Sequence, residues 1–313
     1  MNFYKSNLYP KAIFIMGPTA SGKTNLAINL RKYIKSEIIS VDSALIYKEM
    51  NIGTNKPNLK TLFYNPHHLI NIKEPFESYS SINFCIDAIN KMKKITKLGN
   101  IPLLVGGSIL YFKMLIEGFP ILPPPNKKIR YLIKKEQKKI GNIKLHNILN
   151  KIDPINANKI HFNDFKRISR ALEINFTKNK KLEYLINKKY NKLKYKIYIF
   201  AILPINIELI YNKIYRRFNK MLYNGFENEV KNLINRKDLN QEMISMKCIG
   251  YRQMWEYLLG KIKYENMIIK VIRANRNLVK KQINWIKKIN NINYLNGINI
   301  KNDINKILNI IYN

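Results

Sequence analysis

Eight residues, Gly17-Pro18-Thr19-Ala20-Ser21-Gly22-Lys23-Thr24, follow the apolar run Ala12–Met16 with the spacing of a phosphate-binding loop. Gly17 and Gly22 permit a tight turn whose N–H groups converge on one concavity. Lys23 brings a charge to the phosphates, and Thr24 offers a hydroxyl to Mg²⁺ at a helix N-terminus. An ordinary glycine turn before a helix is the competing reading. Even a true loop names only a phosphate, not the molecule that carries it. A nucleoside triphosphatase of this kind adds a metal-holding Asp at the end of a later strand. Here the matching strand, Leu103–Val105, ends in Gly106-Gly107-Ser108. That weakens the hydrolase reading and leaves a small-molecule kinase open. A carboxylate instead ends the second strand: Asp42 follows Ile38, Ile39 and Val41. There it can take a proton from a nucleophile, or it can simply cap the next turn.

Alternating elements must bring these groups together. Ala12–Met16 reads as a strand, Asn25–Ile34 as a helix, Glu37–Val41 as a strand and Asn83–Lys97 as a helix. Ile101–Val105 then reads as a strand and Ile109–Ile116 as a helix. Such alternation predicts a parallel sheet with its ligands at the carboxyl ends of the strands. Prolines at 120 and 123–125 interrupt the pattern, and residues 126–190 are charged and helical in character. Lys196–Ile202 returns as a buried strand, followed by a helix over Ile207–Tyr223. The expected architecture is α/β: a P-loop NTPase-like parallel sheet core from 1–125 and 191–313, a helical insertion domain at 126–190, and a helical C-terminal part. In the last long helix, Val271, Ala274, Leu278, Trp285 and Ile289 recur at the spacing of a core face. Arg273, Arg276, Lys280 and Lys287 form a separate basic row, suited to successive phosphates. A solvated basic face and a helix lying on a membrane are the competing readings.

The chain has 313 residues, with 56 Lys+Arg against 20 Asp+Glu and a formal net charge of +36. That balance favours polyanionic partners. It is diluted by a general enrichment in Asn, Lys and Ile, so position must decide. Cys85 and Cys248 lie far apart without metal-ligand spacing, as expected of free thiols in a reducing compartment. No apolar run approaches the roughly 20 residues that span a bilayer. Residues 1–10 lack the apolar segment and cleavage site of an export signal. A cytoplasmic location is expected. His67-His68, without Cys, Asp or Glu at ligand spacing, reads as structural.

Several ordered segments together resemble the tRNA dimethylallyltransferase family, the bacterial tRNA isopentenyltransferases. They are GPTASGKT (17–24), SVDSALIYKEMNIGTNKP (40–57), HHLINI (67–72) and PLLVGGSILYFKML (102–115). DPINANKIHFNDFKRISRALE (153–173), RRFNKMLYNGFENEV (216–230), CIGYRQMWEYL (248–258) and KKQINWIK (280–287) continue the series.

The resemblance implies transfer of a dimethylallyl group from its diphosphate to N6 of the adenosine just 3′ of the tRNA anticodon (position 37), with Mg²⁺ as cofactor. It makes Asp42 the general base, the loop from Gly17 to Thr24 the diphosphate cradle, and Lys23, Thr24, Ser108 and Arg217 its partners in catalysis. Thr24 is the metal-side hydroxyl. ATP is expected to occupy the loop at most as a competitor of the donor. Contacts to the tRNA anticodon stem-loop are implied for Asp42, Ser43, Ala44, Leu45, Ser108 and Arg130, and for Lys166, Arg167, Ile168, Ser169 and Arg170. The same holds for Lys247, Cys248, Ile249, Gly250, Tyr251 and Arg252, and for Lys280, Lys281, Gln282, Ile283, Asn284, Trp285, Ile286 and Lys287. A monomer is expected, with no membrane partner. The chain departs from the family pattern at Ser108 and Asn275, where Thr is usual, and at Lys281, where Arg is usual. The residue chemistry agrees with this reading. An adenine amine is a poor nucleophile that needs a base, and a departing diphosphate needs positive charge. The target base must also leave its stack.

Overall fold

The computed structural model describes residues 9–120, 122–178 and 193–313. Short apolar runs become the strands β1 (Lys11–Met16), β2 (Ser36–Val41), β4 (Ile101–Gly106) and β5 (Lys196–Ile202), and two short edge strands, β3 (His67–His68) and β6 (Asn293–Leu295), flank them. They form one parallel sheet in the order β3-β2-β4-β1-β5-β6. Residues of odd and even number leave a strand on opposite faces. Ile13, Ile15, Leu103, Val105 and Phe200 therefore share one face. On that face α1 (Lys23–Leu30) contributes Leu26 and Leu30. The opposite face carries Phe14, whose ring lies 5.5 Å from that of Phe112. Both faces are covered, which is why the strands read as continuous apolar runs rather than alternating ones.

After β2 the chain forms α2 (Leu59–Tyr64), α3 (Ser81–Lys97) and α4 (Ile109–Glu117). Next come α5 (Lys127–Ile152), α6 (Pro154–Ala157) and α7 (Phe165–Lys178). The C-terminal part supplies α8 (Ile207–Tyr223), α9 (Phe226–Asn235), α10 (Tyr251–Leu258), α11 (Tyr264–Ile286) and α12 (Ile300–Tyr312). Ile304, Ile307 and Ile311 of α12 pack beside α1 on the sheet.

The helix expected over 25–34 is instead Lys23–Leu30, starting inside the loop motif. Gly22, at φ 89°, lets the helix begin there, and after Leu30 the backbone tightens, with Tyr33 N–H donating to Leu30 O at 3.0 Å.

The chain divides into two compact units, Met1–Met114 with Lys194–Asn313, and Leu115–Leu193, with the boundary falling inside α4. Within the second unit, Leu145 and Leu149 of α5 pack with Ile168 and Leu172 of α7. Gly141, at φ 80°, breaks α5 in its middle. The carboxylate of Glu173 is fully buried there. It accepts from Arg130 Nε at 2.9 Å, Arg170 Nη1 at 2.8 Å and Asn126 N at 2.6 Å. Burial alone would raise its pKa, but these donors outweigh burial and hold it below the ordinary carboxylate value.

Candidate active site

Because β1, β4 and β2 are neighbours, the loop after β1, the Gly106–Ser108 turn after β4 and Asp42 after β2 emerge side by side. Their spacing depends on a close backbone approach, since a Cβ on Gly106 would sit 2.0 Å from the Val41 carbonyl oxygen. The loop is tightly wound. Ser21 N–H reaches Pro18 O at 3.3 Å, and Ala20 (φ 63°) takes a left-handed conformation that costs a non-glycine residue energy. A Cβ on Gly17 would meet Ser21 Oγ at 2.7 Å.

Lys23 folds back over this loop, donating to Pro18 O at 2.6 Å. Burial of the ammonium pulls its pKa down to about 7. The Asp42 carboxylate pulls the other way, and the Arg217 guanidinium lowers it further. Arg217 projects from α8, and its Nη1 donates to Thr19 Oγ1 at 3.3 Å. Burial lowers its pKa as well, against the pull of Asp42. Two cations thus sit in poor solvation beside a loop built for an anion. Thr24 is exposed on the first turn of α1. Among the described residues no cluster of His, Cys, Asp or Glu forms a cage for a metal. This donor set suits a Mg²⁺ ion that takes most of its oxygens from a phosphate ligand and water, with Thr24 as a protein contact.

Asp42 combines both roles open to it. Its Oδ1 accepts from Ala44 N at 2.8 Å and Leu45 N at 3.2 Å, capping the turn. No hydrogen bond to Oδ2 occurs among the described residues, so the second oxygen remains for another partner. Asp42, Thr19, Ser108 and Arg217 line one cavity of about 700 Å³. Apolar lining comes from Ile214, Phe218 and Met221, which flank Arg217 on α8, and from Phe226. Volume and lining are those of a small-ligand site that combines a few charged groups with apolar side chains.

The sequence profile described as IPP transferase matches residues 45–289. The chain belongs to this family. It is 51% identical over 288 residues to the tRNA dimethylallyltransferase of Buchnera aphidicola from Acyrthosiphon pisum, covering 92% of this chain and 90% of that one. Among solved structures it is similar to the full-length tRNA isopentenylpyrophosphate transferase of Bacillus halodurans, at 31% identity and a TM-score of 0.71 over 96% and 95% of the two chains. A eukaryotic dimethylallyltransferase acting on tRNA reaches a TM-score of 0.81 at 27% identity, over 96% of this chain and 78% of the other. The sheet topology and these matches agree with the P-loop-like α/β core expected from the sequence.

The chain gathers many of the selected residues in the cavity wall: Ser43 and Ala44, Lys247–Tyr251, Lys281 and Trp285 line it with Asp42 and Ser108. The thiol of Cys248 is pushed up to about 12, by burial and by Asp42. Arg130 and Lys166–Arg170 lie in the second unit. There Arg130 and Arg170 are committed to Glu173, and Arg167 pairs with Asp164 at 3.4 Å.

The side chains of four residues assigned to RNA contact are turned inward. Ile168, Tyr251 and Ile286 have no exposed surface, and Gln282 is only 8% exposed. The face assignment of the last helix also needs correction. Trp285 is 38% exposed and turns to the cavity, whereas Met267, Val271, Val279, Gln282 and Ile286 are the buried positions. The expected core set mixed two adjacent stripes, because Val271, Asn275, Leu278, Gln282 and Trp285 repeat at spacings of four and three along the cavity side. Arg273, Arg276, Lys280 and Lys287 are exposed, with Arg276 4.8 Å over the Tyr211 ring.

The adjacent histidines are structural. His68 Nε2 donates to Glu37 at 2.8 Å, and His67 Nδ1 donates to Asn65 O at 2.6 Å.

Sequence reasoning passed over Glu229. Its carboxylate accepts three successive backbone N–H groups, from Asn51 (2.9 Å), Ile52 (2.7 Å) and Gly53 (3.0 Å), and the Tyr251 hydroxyl at 2.6 Å. It pins the segment after Asp42 to α9 and α10. Gly53 is the trace of this contact in the sequence, since a Cβ there would lie 2.1 Å from the Phe226 ring.

Proposed function

We propose that the enzyme transfers a dimethylallyl group from dimethylallyl diphosphate to N6 of the adenosine just 3′ of the tRNA anticodon. The observation that carries the reading is the pairing of a free carboxylate oxygen on Asp42 with a desolvated cationic loop across one partly apolar cavity. In this reading Asp42 Oδ2 takes the amine proton as the N–C bond forms. The loop N–H groups, Lys23 and Arg217 hold the diphosphate and stabilise the charge it gains on leaving. An anion beside Lys23 restores its protonated form, offsetting the burial that lowers its pKa. Thr24 would be the protein contact of a Mg²⁺ bound with the diphosphate, which would supply further charge neutralisation. Ile214, Phe218, Met221 and Phe226 surround the prenyl chain and keep water from the reacting carbon. The base reaches the cavity out of its stack, against Ser43–Ala44 and Lys247–Tyr251, while the exposed row of α11 meets phosphates. We take the chain to act as a monomer.

The test is a reaction of purified protein, tRNA, dimethylallyl diphosphate and Mg²⁺ without any nucleoside triphosphate. Prenylated adenosine is the expected product, with ATP acting at most as a competitor of the donor. A requirement for ATP, or phosphate release without RNA modification, would overturn the reading in favour of a kinase.

A further inference from the structure

We infer that Gln282 is a positioning residue for the phosphate loop, not an RNA contact. Its carboxamide is almost fully enclosed, and both polar atoms are engaged. Oε1 accepts from Thr19 N at 2.9 Å, at the apex of the loop, and Nε2 donates to Gly107 O at 2.8 Å, in the turn that carries Ser108. One side chain therefore fixes the separation of the β1 loop and the β4 turn. The fit is tight, because a Cβ on Gly107 would lie 2.6 Å from Gln282 Nε2.

Two further contacts hold the same apex from the C-terminal helices. Arg217 of α8 donates to Thr19 Oγ1, and Ala20 packs against the α8–α11 cluster of Ile210, Tyr211, Ile214 and Val279. The left-handed Ala20 is strained, and strained backbone persists only where its surroundings over-determine it. The apex geometry thus comes from α8 and α11, on the helix that also presents Lys281 and Trp285 to the cavity.

This inference rests on the loop being the donor site, so its test reads pyrophosphate directly. Gln282→Met keeps the bulk and removes both hydrogen bonds. Mg²⁺–pyrophosphate should bind about ten-fold more weakly, the scale of two lost neutral hydrogen bonds. The KM for dimethylallyl diphosphate should rise in step, while the KM and Kd for tRNA stay within about two-fold. Ile286→Ala, at a buried position on the same helix, controls for loosened packing: it should lower Tm without selective loss of pyrophosphate. Unchanged pyrophosphate binding in Gln282→Met overturns the inference. So does a loss confined to tRNA, or a parallel loss of pyrophosphate, tRNA and Tm in both variants. A wild-type protein that binds tRNA but no pyrophosphate overturns the proposed function itself, and the inference with it.

Discussion

Arg217 and Arg273 carry the same charge in opposite surroundings. Arg217 sits in the cavity wall with its guanidinium desolvated, beside Lys23 and opposite Asp42, whereas Arg273 stands on the outer face of α11 in open solvent. A buried cation without a full counter-charge is costly, and an anionic ligand relieves that cost strongly. An exposed cation costs little, contributes little alone, and works by number and position. Arg130 and Arg170 make a third case, since both already share the Glu173 carboxylate. In the proposed function the cations behind a net charge of +36 divide into those that hold a small anion, those that meet a long one, and those with a fixed internal partner.

Four changes would sharpen or break this division. The largest effect is expected from Asp42→Asn, which keeps size and a turn-capping acceptor but cannot take up the proton. Turnover should fall roughly 10²–10⁴-fold, with tRNA affinity altered far less. Near-normal turnover in a rapid-quench assay would remove Asp42 as the base. Next comes Lys23→Ala, which should weaken pyrophosphate and ATP alike by about 10–100-fold, the scale of a hydrogen bond to a charged group. Selective loss of one ligand, measured by calorimetry, would show that the two do not share the loop.

A smaller effect, on stability alone, is expected from Glu173→Gln, which leaves two guanidinium groups with a neutral partner. Unfolding free energy should drop by about 1–3 kcal/mol. The pH dependence follows from the lowered carboxylate pKa of the folded protein. The Glu173 contribution is complete above the ordinary value of 4.5 and is lost as pH falls through the lower folded value. The variant should lack that acid-side decline; an identical acid profile would mean the triad is not what holds the second unit. The smallest change belongs to the α11 row. Replacing any one of Arg273, Arg276, Lys280 or Lys287 with Ala should reduce the log–log salt slope of tRNA binding by about one unit, leaving pyrophosphate binding intact. Four unchanged slopes would return this face to plain solvation.

The elements that position the site were largely legible. The strand Lys196–Ile202 and the helix Ile207–Tyr223 appear with the bounds their apolar patterns predict. The strand ends carrying Gly17, Asp42 and Gly107 needed only the rule that parallel sheets bind at their carboxyl edge. What could not be read was partnership across long separations. Arg170 and Lys247 look equally available in the sequence, yet Glu173 takes the first, while the second lies in the cavity wall and bonds exposed Glu242. Glu229 and Gln282 are ordinary helix residues until the backbone amides they accept from, 176 and 263 positions away, are brought beside them. Trp285 was misplaced because an aromatic at helical spacing is usually core, and periodicity alone cannot distinguish a core from a cavity wall.

The pairing of β1 with β5 also shapes how the molecule is made. Lys11 lies opposite Lys196, so β1 waits through 185 further residues for its neighbour on that side. At about 5–20 residues per second on a ribosome, that delay is roughly 10–40 s. Throughout it, Ala12–Met16, among the most apolar stretches of the sheet, has at least one open edge, and both until β4 is made, and Arg217 and Gln282 have yet to be added. The phosphate loop is made long before the helices that shape its apex. The site is closed only once α8 and α11 are made, and premature termination anywhere before α11 leaves a loop motif without its clamp.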